Sequence, residues 1–352
     1  MTAQIPKMTA VIGGGNWGTT LAIHLARCGH QSRLWHHDPK VAAEIQKSRI
    51  NATYLPDWPL PEGITITGHL EEAFQGADAI VIAVASQFLR PVLRRISSLS
   101  WNPKTLWVCA TKGLQDDGSR ASELIRAELG DRVSNLTILA GPSLADEVLR
   151  GLPTAIVAAS EDDDAARRAQ RLFHGPGFRV YTSRDLIGVE LGVSLKNVIA
   201  IAAGLAQELR LGHNGYGALL TRGLAEMSRL GLAMGARRDT FLGLAGLGDL
   251  VTTCGSPLSR NHQVGRRLAK GQSLQEILDT LGSVSEGVPT TRAALKLARE
   301  AGVEMPIARE IYDILFQNKD PQRALKDLML RPPKAEVDEI SLTGEQEDFP
   351  VG

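Results

Sequence analysis

The feature that most constrains this chain is a strand, a tight glycine turn and a helix run together near its start, in "TAVIGGGNWGTTLAIHLARCGH" from Thr9 to His30. Residues 9–12 form a β-type run, Gly13, Gly15 and Gly18 fit G-x-G-x-x-G, and Leu21, Ala22, Leu25 and Ala26 recur with helical spacing. Glycine is unfavourable inside ordered elements, so the cluster needs a backbone reason. In such a turn the first glycine permits the bend, the second lets the backbone approach a pyrophosphate, and the third lets helix and strand pack closely. The free N–H groups and the dipole at the helix start favour the phosphate charge. Gly29 then ends the helix, and "QSRLW" (residues 31–35) supplies the second strand of a βαβ unit. The pattern predicts dinucleotide binding.

The residues after the second strand bear on which dinucleotide. An acidic side chain accepts from a ribose 2′-hydroxyl, whereas basic groups suit a 2′-phosphate. Counting about twenty residues from Gly18 reaches Asp38, which suggests NAD. The strand ends at Trp35, which puts His36 and His37 nearest the ribose and favours NADP.

With 352 residues, 43% of them apolar, the chain is long enough for two domains with substantial cores. Lysine plus arginine equals aspartate plus glutamate at 39 each, so no net field draws the chain to nucleic acid or an anionic membrane. Cys28, Cys109 and Cys254 lie far apart without a C-x-x-C pair, which argues against a disulfide framework and a zinc site and fits a reducing cytoplasm. Residues 1–8 are too short and polar for a signal peptide, and the expectation is that the mature chain starts there.

Strand-like runs follow at residues 79–84, 105–110, 136–141, 154–159 and 178–183, with amphipathic stretches at 87–99 and 119–129 between the earlier ones. This alternation predicts an α/β domain with a doubly wound, mostly parallel sheet over residues 1–185. Ligands in such sheets bind beyond the carboxyl ends of the strands. Polar residues gather there: Ser86, "TKG" at 111–113 and "GPS" at 141–143, with Lys112 able to reach a bound phosphate.

From residue 186 to 334 the pattern becomes all-helical. Its first helix, residues 187–206, has only Glu190 and Lys196 as charges in twenty residues. The length permits a membrane span, but the two charges, Asn197 and three glycines predict the central buried helix of a bundle. A buried ammonium is costly unless paired or able to shed its proton, so Lys196 is a candidate proton donor and acceptor. Asp249, alone among apolar residues in "LAGLGDLVTTC", wants a cationic partner, and Lys196 suits it. Ser259, Arg260 and Asn261 offer three donors to phosphate oxygens, and Glu286 offers an acceptor for a cofactor ribose or amide. The tail, residues 335–352, carries six acids and no base and reads as disordered.

The succession "GGGNWGTTLA", "ATKG", "GPSLADEV", "GLPTA", "GVSLKNVIAI", "LTRGLAEMSRLG", "LAGLGDLVTTC", "SRN", "EG" and "GVEMPI" resembles the bacterial-type NAD(P)-dependent glycerol-3-phosphate dehydrogenases over residues 8–330. The resemblance implies a Rossmann domain and a helical domain like that of 6-phosphogluconate dehydrogenase. It also implies a homodimer that reversibly reduces dihydroxyacetone phosphate to sn-glycerol 3-phosphate for phospholipid synthesis, while the charge balance and the 187–206 helix already predict no nucleic-acid binding and no membrane insertion. By motif position Lys196 is the acid/base, and Lys112, Gly141, Ser143, Asp249, Ser259, Arg260 and Asn261 surround the substrate. Asn16, Trp17, His37, Ala145, Val284 and Glu286 line the cofactor, NADP(H) or NAD(H), with Lys112 and Arg260 near both ligands. Asn16, Leu144, Ser194 and Ser285 depart from the usual residues of the family without removing a reacting group. Two other readings stay open at this point: a dehydrogenase of a sugar acid or 2-keto acid whose carboxylate meets Arg260, and a dinucleotide sensor without turnover.

Overall fold

The computed structural model describes residues 6–281, 285–333 and 335–336. Its strands are β1 (Met8–Ile12), β2 (Gln31–Trp35), β3 (Ile50–Asn51), β4 (Leu55–Pro59), β5 (Ile64–Thr67), β6 (Ala79–Ile82), β7 (Leu106–Cys109), β8 (Leu136–Ala140), β9 (Thr154–Ala159) and β10 (Phe178–Ser183). Eight of them form one sheet in the order β10-β9-β8-β7-β6-β1-β2-β5, and β3 pairs with β4 in a separate hairpin. The chain runs from β1 out through β2 to β5 and then returns to β6 on the other side of β1. That reversal opens a crevice beyond the carboxyl ends of β1 and β6, where ligands of open α/β sheets bind.

Every pair in the large sheet is parallel except β8 with β9. The connection between these two holds only the five-residue helix Ala145–Leu149, too short to carry the chain back along the sheet. Alternate residues of each strand enter opposite cores: Ala10, Ile12, Ile80 and Ile82 on one face, Val11, Ala79 and Val81 on the other. Strand β5 and the β3/β4 hairpin are additions to the sequence reading.

In the glycine turn, Gly13 has φ +124°, and a Cβ there would meet the Ala83 carbonyl oxygen at 2.6 Å. A Cβ on Gly18 would come within 1.9 Å of the Gly13 carbonyl oxygen. Gly18→Ala is therefore expected to destabilise the fold by about 1–3 kcal/mol through overpacking, measured by denaturant unfolding without cofactor. An unchanged midpoint would mean the turn has room to yield.

The remainder is helical, built around the helix Leu186–Glu208. Its apolar window is 94% buried inside the protein, as the central-helix reading expects. Leu186, Val189 and Val193 belong to the sheet core, whereas Leu191, Leu195, Val198 and Ile201 belong to the helical core, so one helix completes both. Glu190 fastens it to the sheet half. Its buried carboxylate accepts from Ser122 N at 2.8 Å, Ser122 Oγ at 2.6 Å and Arg120 Nη1 at 3.0 Å. Burial pushes its carboxyl above the ordinary range against these partners.

Candidate active site

Lys196 projects from the central helix and is 4% exposed. Its Nζ lies 2.6 Å from Asp249 Oδ1 and donates to Thr253 Oγ1 at 2.6 Å. The other carboxylate oxygen, Oδ2, accepts from Lys112 Nζ at 3.2 Å. One buried carboxylate thus joins two ammonium groups. Burial lowers the Lys196 ammonium to about 8, with Asp249 opposing the fall and Lys112 adding to it.

Asp249 reaches this place through local backbone. Residues Leu244–Gly248 make a π-helical turn, after which Asp249 begins the helix Asp249–Gly255. Gly192 of the central helix allows the approach, because a Cβ there would meet the Ala245 carbonyl oxygen at 2.5 Å. Thr253, one turn after Asp249, donates to Asp249 Oδ1 at 3.2 Å. Lys112 arrives from the carboxyl end of β7 and also donates to the Gly141 carbonyl at 2.9 Å and to Ser143 Oγ at 3.3 Å. Next to it, Gly113 N donates to Ser194 Oγ at 3.1 Å, which ties the two lysine-bearing segments together.

The glycine turn lies at the carboxyl end of β1. The helix Asn16–Arg27 has no side-chain cap and no acid in its first turn, and a Cβ on Gly15 would meet nothing within 4 Å. Open space beside uncapped N–H groups fits a dinucleotide pyrophosphate. Asn16 is exposed there, Trp17 is half-buried with its Nε1 unpartnered, and Ala145 starts the short helix after β8. His36 is buried against Gly14, accepts from Asp38 N at 3.1 Å and stacks on the exposed His37 at 4.6 Å between ring centroids. Burial lowers the His36 imidazole below its ordinary value. Asp38 caps the helix Pro39–Ser48, its Oδ1 accepting from Lys40 N at 2.8 Å and Val41 N at 3.4 Å.

The third group comes from the helical half. Ser259 caps the helix Arg260–Ala269 by accepting from His262 N at 3.3 Å, and exposed Arg260 is within electrostatic reach of Glu286 and Tyr54. Asn261 Nδ2 donates to Asn197 Oδ1 at 2.9 Å, and its Oδ1 accepts from Ser285 Oγ at 2.6 Å and Gly287 N at 2.9 Å. It thereby pins the turn around Glu286 to the central helix. Glu286 crosses to the sheet half, where its carboxylate accepts from Ser86 N at 2.9 Å and from Ser86 Oγ. Val284 lies outside the described residues, as does the tail from residue 337.

Thr253 and Asn197 were given no place in the site from sequence, and Ser86 was singled out at the ligand-binding end of the sheet but without a partner. Thr253 sits four residues after Asp249 and Asn197 directly after Lys196, so helical spacing was an available signal. Ser86 meets Glu286 only through the fold.

A family model described as the NAD-dependent glycerol-3-phosphate dehydrogenase N-terminus matches residues 8–166, and the model for the C-terminus of the same enzymes matches residues 185–326. The chain belongs to this family. It is accordingly an NAD(P)-dependent oxidoreductase. A glycerol-3-phosphate dehydrogenase [NAD(P)+] of Geobacter metallireducens is 48% identical over 93% of this chain and 98% of its own length. One from Geobacillus kaustophilus is 45% identical over 96% and 99%. Among solved structures, the glycerol-3-phosphate dehydrogenase of Coxiella burnetii has a TM-score of 0.88 at 39% identity, covering 92% of this chain and 99% of that one. A ketopantoate reductase of Ralstonia eutropha, at 15% identity and TM-score 0.59, shares the fold alone.

Proposed function

We propose that the chain interconverts dihydroxyacetone phosphate and sn-glycerol 3-phosphate, with Lys196 as the proton donor and acceptor. The 2.6 Å pair between Lys196 and Asp249 carries this reading, since it holds a buried amine with an ammonium value lowered to about 8 beside the Lys112 and Gly141 loops. A reduced nicotinamide held at the glycine turn would supply the hydride for C2 of the ketone. Lys196 gives its proton to the ketone oxygen, and the neutral amine takes that proton back when the alcohol is oxidised. Near neutrality both forms of such a lysine are within reach, which suits a reversible reaction. Asp249 keeps Nζ in place, Lys112 and Ser143 orient the substrate, and Ser259, Arg260 and Asn261 form the phosphate end. Orientation then contributes to the rate alongside proton transfer.

On the cofactor side, Gly13, Gly15, Asn16, Trp17 and Gly18 would hold the pyrophosphate, while Ala145 and Glu286 would line the remainder. NADP(H) is the better-suited dinucleotide. Asp38 already uses an oxygen to cap a helix, whereas exposed His37 stacked on His36 presents a basic edge beside the turn. His37→Asp is expected to lower the ratio of kcat/KM for NADPH to that for NADH by about tenfold, about 1.4 kcal/mol, because a carboxylate repels the 2′-phosphate. An unchanged ratio would remove His37 from cofactor choice.

Unpaired Cys28, Cys109 and Cys254 support a reducing cytoplasm as the place of action. There the product would serve phospholipid synthesis. Exposed Leu242, Leu247, Val251 and Leu258 offer apolar surface for a homodimer, which sedimentation measures. The activity is tested by offering dihydroxyacetone phosphate and a set of 2-keto acids in parallel. Reduction of the phosphorylated ketone alone is expected, and preference for a keto acid would overturn the substrate assignment.

A further inference from the structure

The β3/β4 hairpin contributes one buried polar side chain, Asn51, which is 1% exposed. Its Nδ2 donates to the Gly14 carbonyl oxygen and to Thr19 Oγ1, both at 2.9 Å. A carbonyl can only accept, so the amide must present its NH2 to the turn, and its orientation is settled by chemistry. The hairpin is anchored on both sides. Leu60 N donates to the Arg49 carbonyl at 2.7 Å, and Leu55 and Leu60 are buried in the sheet core.

The consequence falls on Gly15. Gly14 and Gly15 share a peptide plane, and in a trans peptide the C=O and the following N–H point in opposite directions. Drawing the Gly14 carbonyl toward the hairpin therefore turns the Gly15 N–H away from it, at the residue that opens on free space. Residues 13–15 are three consecutive glycines, a stretch in which peptide rotation meets little steric resistance unless something holds it.

We propose that Asn51 is a positioning residue for dinucleotide binding, clamping the Gly14 carbonyl so that the Gly15 N–H is aimed in advance at the pyrophosphate. It acts through the glycine turn and does not itself touch the cofactor. Its contribution is preorganisation, so it appears in affinity and leaves the chemical step alone. Thr19 serves only as the second acceptor.

The test is calorimetric titration of the wild type and of Asn51→Ala, Asn51→Asp and Thr19→Val with NADPH, ADP-ribose and 2′-AMP. Asn51→Asp keeps the shape while removing both donors, which covers the case in which the alanine variant folds poorly. Both Asn51 variants are expected to bind NADPH and ADP-ribose about tenfold more weakly, about 1.4 kcal/mol. For 2′-AMP, which has no pyrophosphate, their affinity should stay within about twofold of the wild type. Thr19→Val should bind all three as the wild type does, and kcat at saturating NADPH and KM for dihydroxyacetone phosphate should be unmoved in every variant. NADPH affinity within about twofold of wild type in both Asn51 variants, or an equal loss for ADP-ribose and 2′-AMP, would overturn the proposal. Loss of 2′-AMP binding alongside a lowered melting temperature would mark Asn51 as a general structural residue instead.

Discussion

Lys196→Met is expected to lower kcat for dihydroxyacetone phosphate reduction by about 10²- to 10⁴-fold, the usual contribution of a positioned proton donor. The affinity for NADPH should be unchanged, because Lys196 lies on the central helix and not at the glycine turn. Methionine keeps the unbranched apolar stem at a position that is 4% exposed, and Asp249 retains its ion pair with Lys112 at 3.2 Å. The fold should therefore persist, and a melting curve checks this. Undiminished turnover in a folded variant would remove Lys196 from the chemistry.

Asp249→Asn comes next in size, with an expected loss of about 10²-fold or more in kcat from a misplaced and less readily protonated donor. Its signature is in the pH profile. Reduction needs the ammonium form, so the wild-type rate should fall as pH rises through about 8, the value to which burial brings Lys196. The Asp249 carboxylate raises that value, opposing burial, and Lys112 lowers it. Removing the carboxylate takes away the largest raising influence and leaves burial and Lys112 opposed only by the weaker effect of Cys254, so the decline should move toward lower pH. A profile displaced toward higher pH, or not displaced, would show that Asp249 does not set the charge of Lys196.

Much of this architecture was legible because it is written in local pattern. The glycine turn, the alternation of strands with helices, and a lysine in an apolar helical run each follow from neighbours within a few residues of one another. Asp38 was ambiguous for an instructive reason: its spacing suits a ribose, but "HDPK" also starts a helix, with an acidic cap followed by proline at the first position. The structure uses it as the cap. The features that were not legible depend on distance along the chain. Ser86 meets a carboxylate 200 residues away, Asn51 meets a carbonyl 37 residues away, and Gly113 meets a hydroxyl 81 residues away. Strand β5 has the alternating "ITIT" that marks a half-buried strand, yet at four residues it is too short to stand out. The reversal of β9 relative to β8 follows from how little helix the connection contains, which becomes evident only once both strands are placed.

The most direct test is the initial rate of NADPH and NADH oxidation by the purified protein, with and without dihydroxyacetone phosphate. The expected result is oxidation that depends on the ketone, faster with NADPH, and lost on the alkaline side of about pH 8. Tight binding of the cofactor with no ketone-dependent oxidation would contradict the assignment of the Lys196, Asp249 and Lys112 cluster to this substrate.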